Sequence, residues 1–191
     1  MENNETLENT NKKVVMISEK PGCSQPLKKI MLEKEKTPRQ ITHTKGWNFD
    51  ESQLSYEYQH RIISNISENM EENDHMHFVT KEIQKKIYGY RSQDIIKKLY
   101  DEDNFVDFKK VIDLLLECDL DCYYCREKVL IIYEMVREPK QWSIERINNK
   151  YGHNKDNIVI ACLNCNLRRK TMYHERFVFT KQMGKITKLD T

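Results

Sequence analysis

The sequence predicts an α+β protein: a disordered N-terminal tail, a small helical region, and a C-terminal module of strand, loop, strand and helix. Three observations carry this. Apolar residues recur at helical spacing between residues 46 and 117. From residue 118 that spacing gives way to short β-branched runs separated by Asn, Asp, Gly and Pro. Two Cys-x-x-Cys pairs bracket this second stretch.

Residues 1–45 are rich in Asn, Glu, Lys and Thr and poor in large apolar residues, which predicts a disordered tail. Cys23 and the pair Pro21-Gly22 fall inside it and carry no assigned role. The region 46–117 reads as helical. Leu54, Tyr58, Ile62 and Ile66 share one helix face, and Val79, Ile83 and Ile87 share another. Ser92 is placed to cap a helix through Ile95, Ile96 and Leu99, with Asp94 in its first turn. Phe105, Phe108, Ile112 and Leu115 then repeat at steps of 3, 4 and 3.

In the C-terminal module, residues 118–125 form a turn. The run EKVLIIYEMV (127–136) reads as a strand or a short helix, ended by Pro139. Trp142 and Ile144 alternate with polar neighbours in a strand, residues 148–157 form a loop, and residues 158–161 form a second short strand. One helix is expected from the second cysteine pair through Phe177. Domain bounds follow: 1–45 tail, 46–117 helical region, 118–180 module, 181–191 basic tail.

Composition limits the function. Apolar residues make up 38% of the chain and charged residues 32%. No apolar run approaches the ~20 residues that span a bilayer, so no membrane partner is expected. The N-terminus lacks the apolar stretch of a secretory signal, which predicts an intracellular, reducing location. The net charge of +2 is unevenly spread. Residues 46–118 carry 9 Lys+Arg against 15 Asp+Glu, whereas residues 140–191 carry 11 against 4. A basic C-terminal part suits a polyanion such as nucleic acid.

Cys122 and Cys125 form one pair, and Cys162 and Cys165 the other. Two-residue spacing lets both sulfurs of a pair reach one ion, and two such pairs close a tetrahedral thiolate site for Zn²⁺. Competing readings are two redox pairs or four unrelated core thiols; the reducing location favours zinc. With four thiolates the ion would be structural, tying the turn at 122 to the helix near 165. Cys118 reads as a buried thiol, with an alternative ligand as the second reading.

Between and after the pairs lie an acid at a strand end (Glu145), an Asn opening the second strand (Asn157) and an Asn after the last cysteine (Asn166). A strand–loop–strand–helix fold brings the helix start to the first strand's end. Glu145 and Asn166 could then offer hard oxygens to one Mg²⁺ or Mn²⁺.

These residues resemble the HNH endonucleases, the ββα-metal or His-Me finger family, and in particular their zinc-stapled members in phages and large DNA viruses. The resemblance rests on CYYC, SIERINNKYGHNKDNIVIACLNCN and the trailing LRRK, and covers about residues 118–180. It implies a metal-dependent DNA endonuclease. Glu145 matches the family's strand-end acid, Asn157 its loop-bracing Asn, and Asn166 its second metal ligand. Arg146 stands where most members keep the general-base His. Arginine stays protonated and is a very poor base.

Three readings of Arg146 follow. It clamps the scissile phosphate while His153 or metal-bound water serves as base; or the module is catalytically inert and only binds nucleic acid; or Glu145 and Arg146 form a solvated pair. Lys150, Lys155, Arg168, Arg169 and Lys170 are the expected backbone-tracking residues, with weak sequence specificity. A module for protein interaction, built on the acidic helical region, is a third class.

Overall fold

Side chains that cap helix ends punctuate the N-terminal half. Ser55, Asn73 and Asp107 each accept a hydrogen bond from the backbone N–H three residues on, and each starts a helix. The computed structural model describes residues 49–183 apart from Glu72 and the side chain of Gln182. The elements among them are α1 (Tyr56–Ser67), α2 (Asp74–Ile96), α3 (Phe108–Glu117), β1 (Trp142–Arg146), β2 (Ile158–Cys162), α4 (Leu163–Arg169) and α5 (His174–Met183). The fold class is α+β. The tail expected at 1–45, with Cys23, lies outside the described residues, as does the expected basic tail beyond residue 183.

The strands pair antiparallel, with Trp142 opposite Cys162, Glu145 opposite Val159 and Arg146 opposite Ile158. Helix α4 packs on both strands, and α3 packs on α1, α2 and β2. One hydrophobic core therefore runs from Ile63, Ile83 and Leu115 through Val129 to Trp142, Ile144 and Ile160. All described residues belong to one compact unit.

Three expectations need correction. Ser92 does not open a helix. Asn73 caps a single long α2 that passes through Gly89, and the Ser92 hydroxyl donates back to the Tyr88 carbonyl (3.0 Å). Ile95 and Ile96 are exposed at its end, where Lys98 adopts φ 58°. The bonds Leu99 N–H to Asp94 O and Lys98 N–H to Ile95 O then close the helix.

The run 127–136 is neither strand nor helix. It is pinned as irregular chain by Gln59 of α1, which is buried. Its Oε1 accepts from the backbone N–H groups of both Ile131 (2.7 Å) and Ile132 (2.9 Å). One side chain on a helix thus does what a partner strand would do.

The last expected helix is two helices. Lys170 has φ 50° and breaks the chain between α4 and α5. α5 then runs on to Met183, into the segment expected as tail.

Helix α2 also lies along β1. Lys86 Nζ donates to the Trp142 carbonyl (2.6 Å), the Tyr90 hydroxyl accepts the Ile144 N–H (3.0 Å), and Asp94 accepts the His153 N–H (2.6 Å). These residues sit one helical turn apart, at steps of four. No helix among the described residues is long and apolar enough to cross a membrane.

Candidate functional site

The four paired cysteines meet. The turn after α3 carries Cys122 and Cys125, the end of β2 carries Cys162, and α4 carries Cys165. Their sulfurs all lie within 4.8 Å of one another. A tetrahedral ion at the usual Zn–S distance of ~2.3 Å sets sulfurs about 3.8 Å apart, and Cys125 Sγ lies 3.9 Å from Cys162 Sγ. The donor set fits a metal ion such as zinc. The turn is anchored to the sheet by the Tyr123 N–H donating to the Ile160 carbonyl (2.9 Å). Hydrogen bonds from Cys162 and Cys165 draw the Cys122 thiol below its ordinary value, and the same bonds to Cys122 push the Cys162 and Cys165 thiols up. Cys118 stands apart from the cluster, its thiol pushed up to about 11 by burial.

Beside this cluster a cavity of about 270 Å³ opens between the end of β1, the loop 148–157, α2 and α4. Glu145, Arg146, His153 and Asn166 all line it, together with Ser143, Asn149, Tyr90, Lys97 and Lys170. Glu145 and Arg146 can share it because β1 ends at Arg146. Asn157 braces the loop: its Oδ1 accepts from the Asn148 N–H (2.8 Å), and its Nδ2 donates to the carbonyls of Asn148 and Gly152 (3.0 Å each).

Glu145 is 6% exposed and ion-paired with Arg169. Burial pushes its carboxyl above the ordinary range, more than Arg169 and Arg146 pull it down. The pair occupies Oε1. Oε2 makes no hydrogen bond to a described residue and is not among the side-chain atoms buried without a partner. Asn166 donates its Nδ2 to Ser143 Oγ (3.2 Å), which in turn donates to the Ala161 carbonyl (2.8 Å). That orients the amide and leaves Oδ1 free among the described residues. Glu145 and Asn166 thus line the same cavity.

His153 is buried against the Tyr90 ring, with centroids 4.6 Å apart. Its Nδ1 lies 2.9 and 3.0 Å from the two oxygens of Asp94, which is fully buried. Burial lowers the His153 pKa more than Asp94 raises it. Arg146 holds the loop by donating from one guanidinium nitrogen to the Tyr151 carbonyl (3.1 Å).

The expected basic surface divides. Lys150, Arg168 and Lys170 are exposed. Lys155 is exposed but pairs with Asp107 (2.9 Å) and does not line the cavity. Arg169 corrects the expectation outright: it is 2% exposed and turned inward. Besides Glu145, its guanidinium donates to the carbonyls of Arg146 and Ile147 (2.7 Å each). A side chain so enclosed cannot track a nucleic-acid backbone. Lys97 and Tyr90 carry no sequence signal for this site, and Asp94 stands in the sequence as a helix-start acid. The signal for Asp94 was present: it continues the stripe Met76, Val79, Ile83, Ile87 as an acid on an apolar face.

No family model, curated protein or solved structure matches this chain.

Proposed function

We propose that this chain is a metal-dependent DNA endonuclease of the HNH type, hydrolysing phosphodiester bonds by nicking or cleaving. The observation that carries the reading is one cavity lined by a strand-end carboxylate, a helix-start amide, a loop imidazole and three cations, directly beside the four-cysteine cluster. The cysteines hold a structural zinc. Glu145 and Asn166 hold a Mg²⁺ or Mn²⁺, which when bound supplies Lewis-acid stabilisation of charge on the phosphate and the leaving 3′-oxygen.

The chain's own groups do the rest. Arg146, Lys97 and Lys170 hold the scissile phosphate and offset its added charge. His153 takes the proton from the attacking water as the P–O bond forms and the bond to the 3′-oxygen breaks. This relieves Arg146 of the base role that its chemistry forbids. Lys150 and Arg168 contact flanking phosphates, which position without specifying sequence.

A second reading is a zinc-stabilised nucleic-acid-binding module without catalysis. It draws on the Glu145–Arg169 pair, since Glu145 is the one carboxylate among the described residues lining the cavity and its charge is already balanced. Supercoiled plasmid incubated with zinc-loaded protein and Mg²⁺ or Mn²⁺ separates the two. The endonuclease nicks, and Glu145→Gln and Asn166→Ala reduce nicking at unchanged zinc content and melting temperature. Salt-sensitive DNA binding with no product under either metal selects the second reading.

A further inference from the structure

We infer that Asp94 of α2 is a positioning residue that fixes His153 in the Nδ1–H tautomer and leaves Nε2 as the basic nitrogen at the cavity.

The geometry is specific. Asp94 receives two hydrogen bonds from one residue: the His153 backbone N–H reaches Oδ2 at 2.6 Å, and Nδ1 lies 2.9 Å from Oδ1. A carboxylate is acceptor-only, so Nδ1 must be the protonated nitrogen, and the lone pair falls on Nε2. Nε2 makes no hydrogen bond to a described residue. It is also absent from the side-chain atoms buried without a partner, so it keeps some solvent access, and His153 lines the cavity. Tyr90, one turn back on the same helix, packs its ring against the imidazole. The loop is drawn in from its other side as well, where the Val106 N–H donates to the His153 carbonyl (2.9 Å). Arg146 and Lys97 are the charged groups that act on the ring besides Asp94.

Gly152 makes the approach feasible. A Cβ there would lie 2.4 Å from the Leu99 carbonyl oxygen and 2.8 Å from Asp94 Oδ2. The first distance is to backbone that α2's terminal bonds hold in place. The helical region thus supplies an active-site group rather than only a docking surface.

The tautomer claim stands on its own; its catalytic consequence rests on the endonuclease reading. Two measurements keep them apart. The first is ¹⁵N NMR of histidine-labelled, zinc-loaded full chain at neutral pH. Wild type is expected to show His153 protonated at Nδ1 and unprotonated at Nε2; the opposite pattern overturns the proposal without any variant. In Asp94→Asn the single amide oxygen serves the backbone N–H, and the NH₂ faces Nδ1 as a donor. The proton then moves to Nε2. An unchanged tautomer in that variant also overturns the proposal.

The second measurement is plasmid nicking. Asp94→Asn is expected to lower kcat by about a hundredfold or more, the range of a lost general base, with KM for DNA little changed. A purely structural tie would lower the melting temperature but keep the tautomer and the kcat of the folded fraction, and that result counts against us. Wild type that holds the Nδ1–H form, loses it in Asp94→Asn and yet nicks nothing supports Asp94's role and overturns the endonuclease reading alone.

Discussion

Arg169 packs its guanidinium against the Glu145 carboxylate, and both residues are buried. The same guanidinium satisfies the carbonyls of Arg146 and Ile147, where the strand has ended and sheet partners have run out. Removing it leaves a buried charge and two acceptors without donors. Arg169→Ala is therefore expected to cost about 3–5 kcal/mol. Arg169→Lys should recover little, because an ammonium cannot span three acceptors as a planar fork does. Urea unfolding of zinc-saturated protein measures both. A loss below about 1 kcal/mol in the alanine variant would mean the pair contributes little.

The cysteine cluster joins segments far apart in the chain, and the metal it fits would couple them. Purified protein is expected to carry close to one zinc per chain. Chelation, or Cys165→Ser, should melt β1, β2 and α4 together, because one strand ends in a ligand and the helix carries another. Metal analysis and circular dichroism before and after chelation decide this. A metal-free protein that stays fully folded removes the zinc claim.

Gly152→Ala tests how closely the loop must approach α2. The added methyl meets a fixed carbonyl oxygen, so the loop has to move outward by several tenths of an ångström. A destabilisation of about 1–3 kcal/mol is expected, with loss of the protected His153 amide in hydrogen exchange. An unperturbed amide would show that the loop absorbs the methyl elsewhere.

The pH dependence has a defined sign. His153's pKa lies below the ordinary histidine value because burial outweighs the Asp94 charge. Its neutral form, the one able to accept a proton, is present above that lowered pKa and is lost as pH falls through it. Nicking is expected to be flat at neutral pH and to fall on the acid side with an inflection below about 6.5. The same shift makes stability fully present above about 6.5 and lost as pH falls through the folded value, since the unfolded chain takes up its proton first. An inflection above pH 7 would point instead to another base.

The parts legible in the sequence were those written in local patterns. Cys122, Cys125, Cys162 and Cys165 announced one site by spacing. The stripes through Ile62 and Ile83 announced helices, and Asn157 fell where a brace was expected. What escaped was decided by contacts between distant segments. The run 127–136 has strand composition, yet the N–H groups of Ile131 and Ile132 belong to Gln59, some 70 residues earlier. Arg169 sits in a basic cluster that looks solvent-facing, and only the fold shows it turned toward Glu145. Asp94 reads as a helix-start acid until the loop 148–157 is brought against it.

The polar side chains of α2 have one more consequence. A sheet of two strands has two bare margins, each able to template growth by another extended chain. Here Lys86 and Tyr90 occupy the backbone groups along one margin, and the knuckle residue Tyr123 occupies the other. Cutting the chain at residue 118 would remove the Lys86 and Tyr90 partners of the first margin, leaving there the Trp142 N–H bond to the Leu130 carbonyl and an otherwise open strand edge.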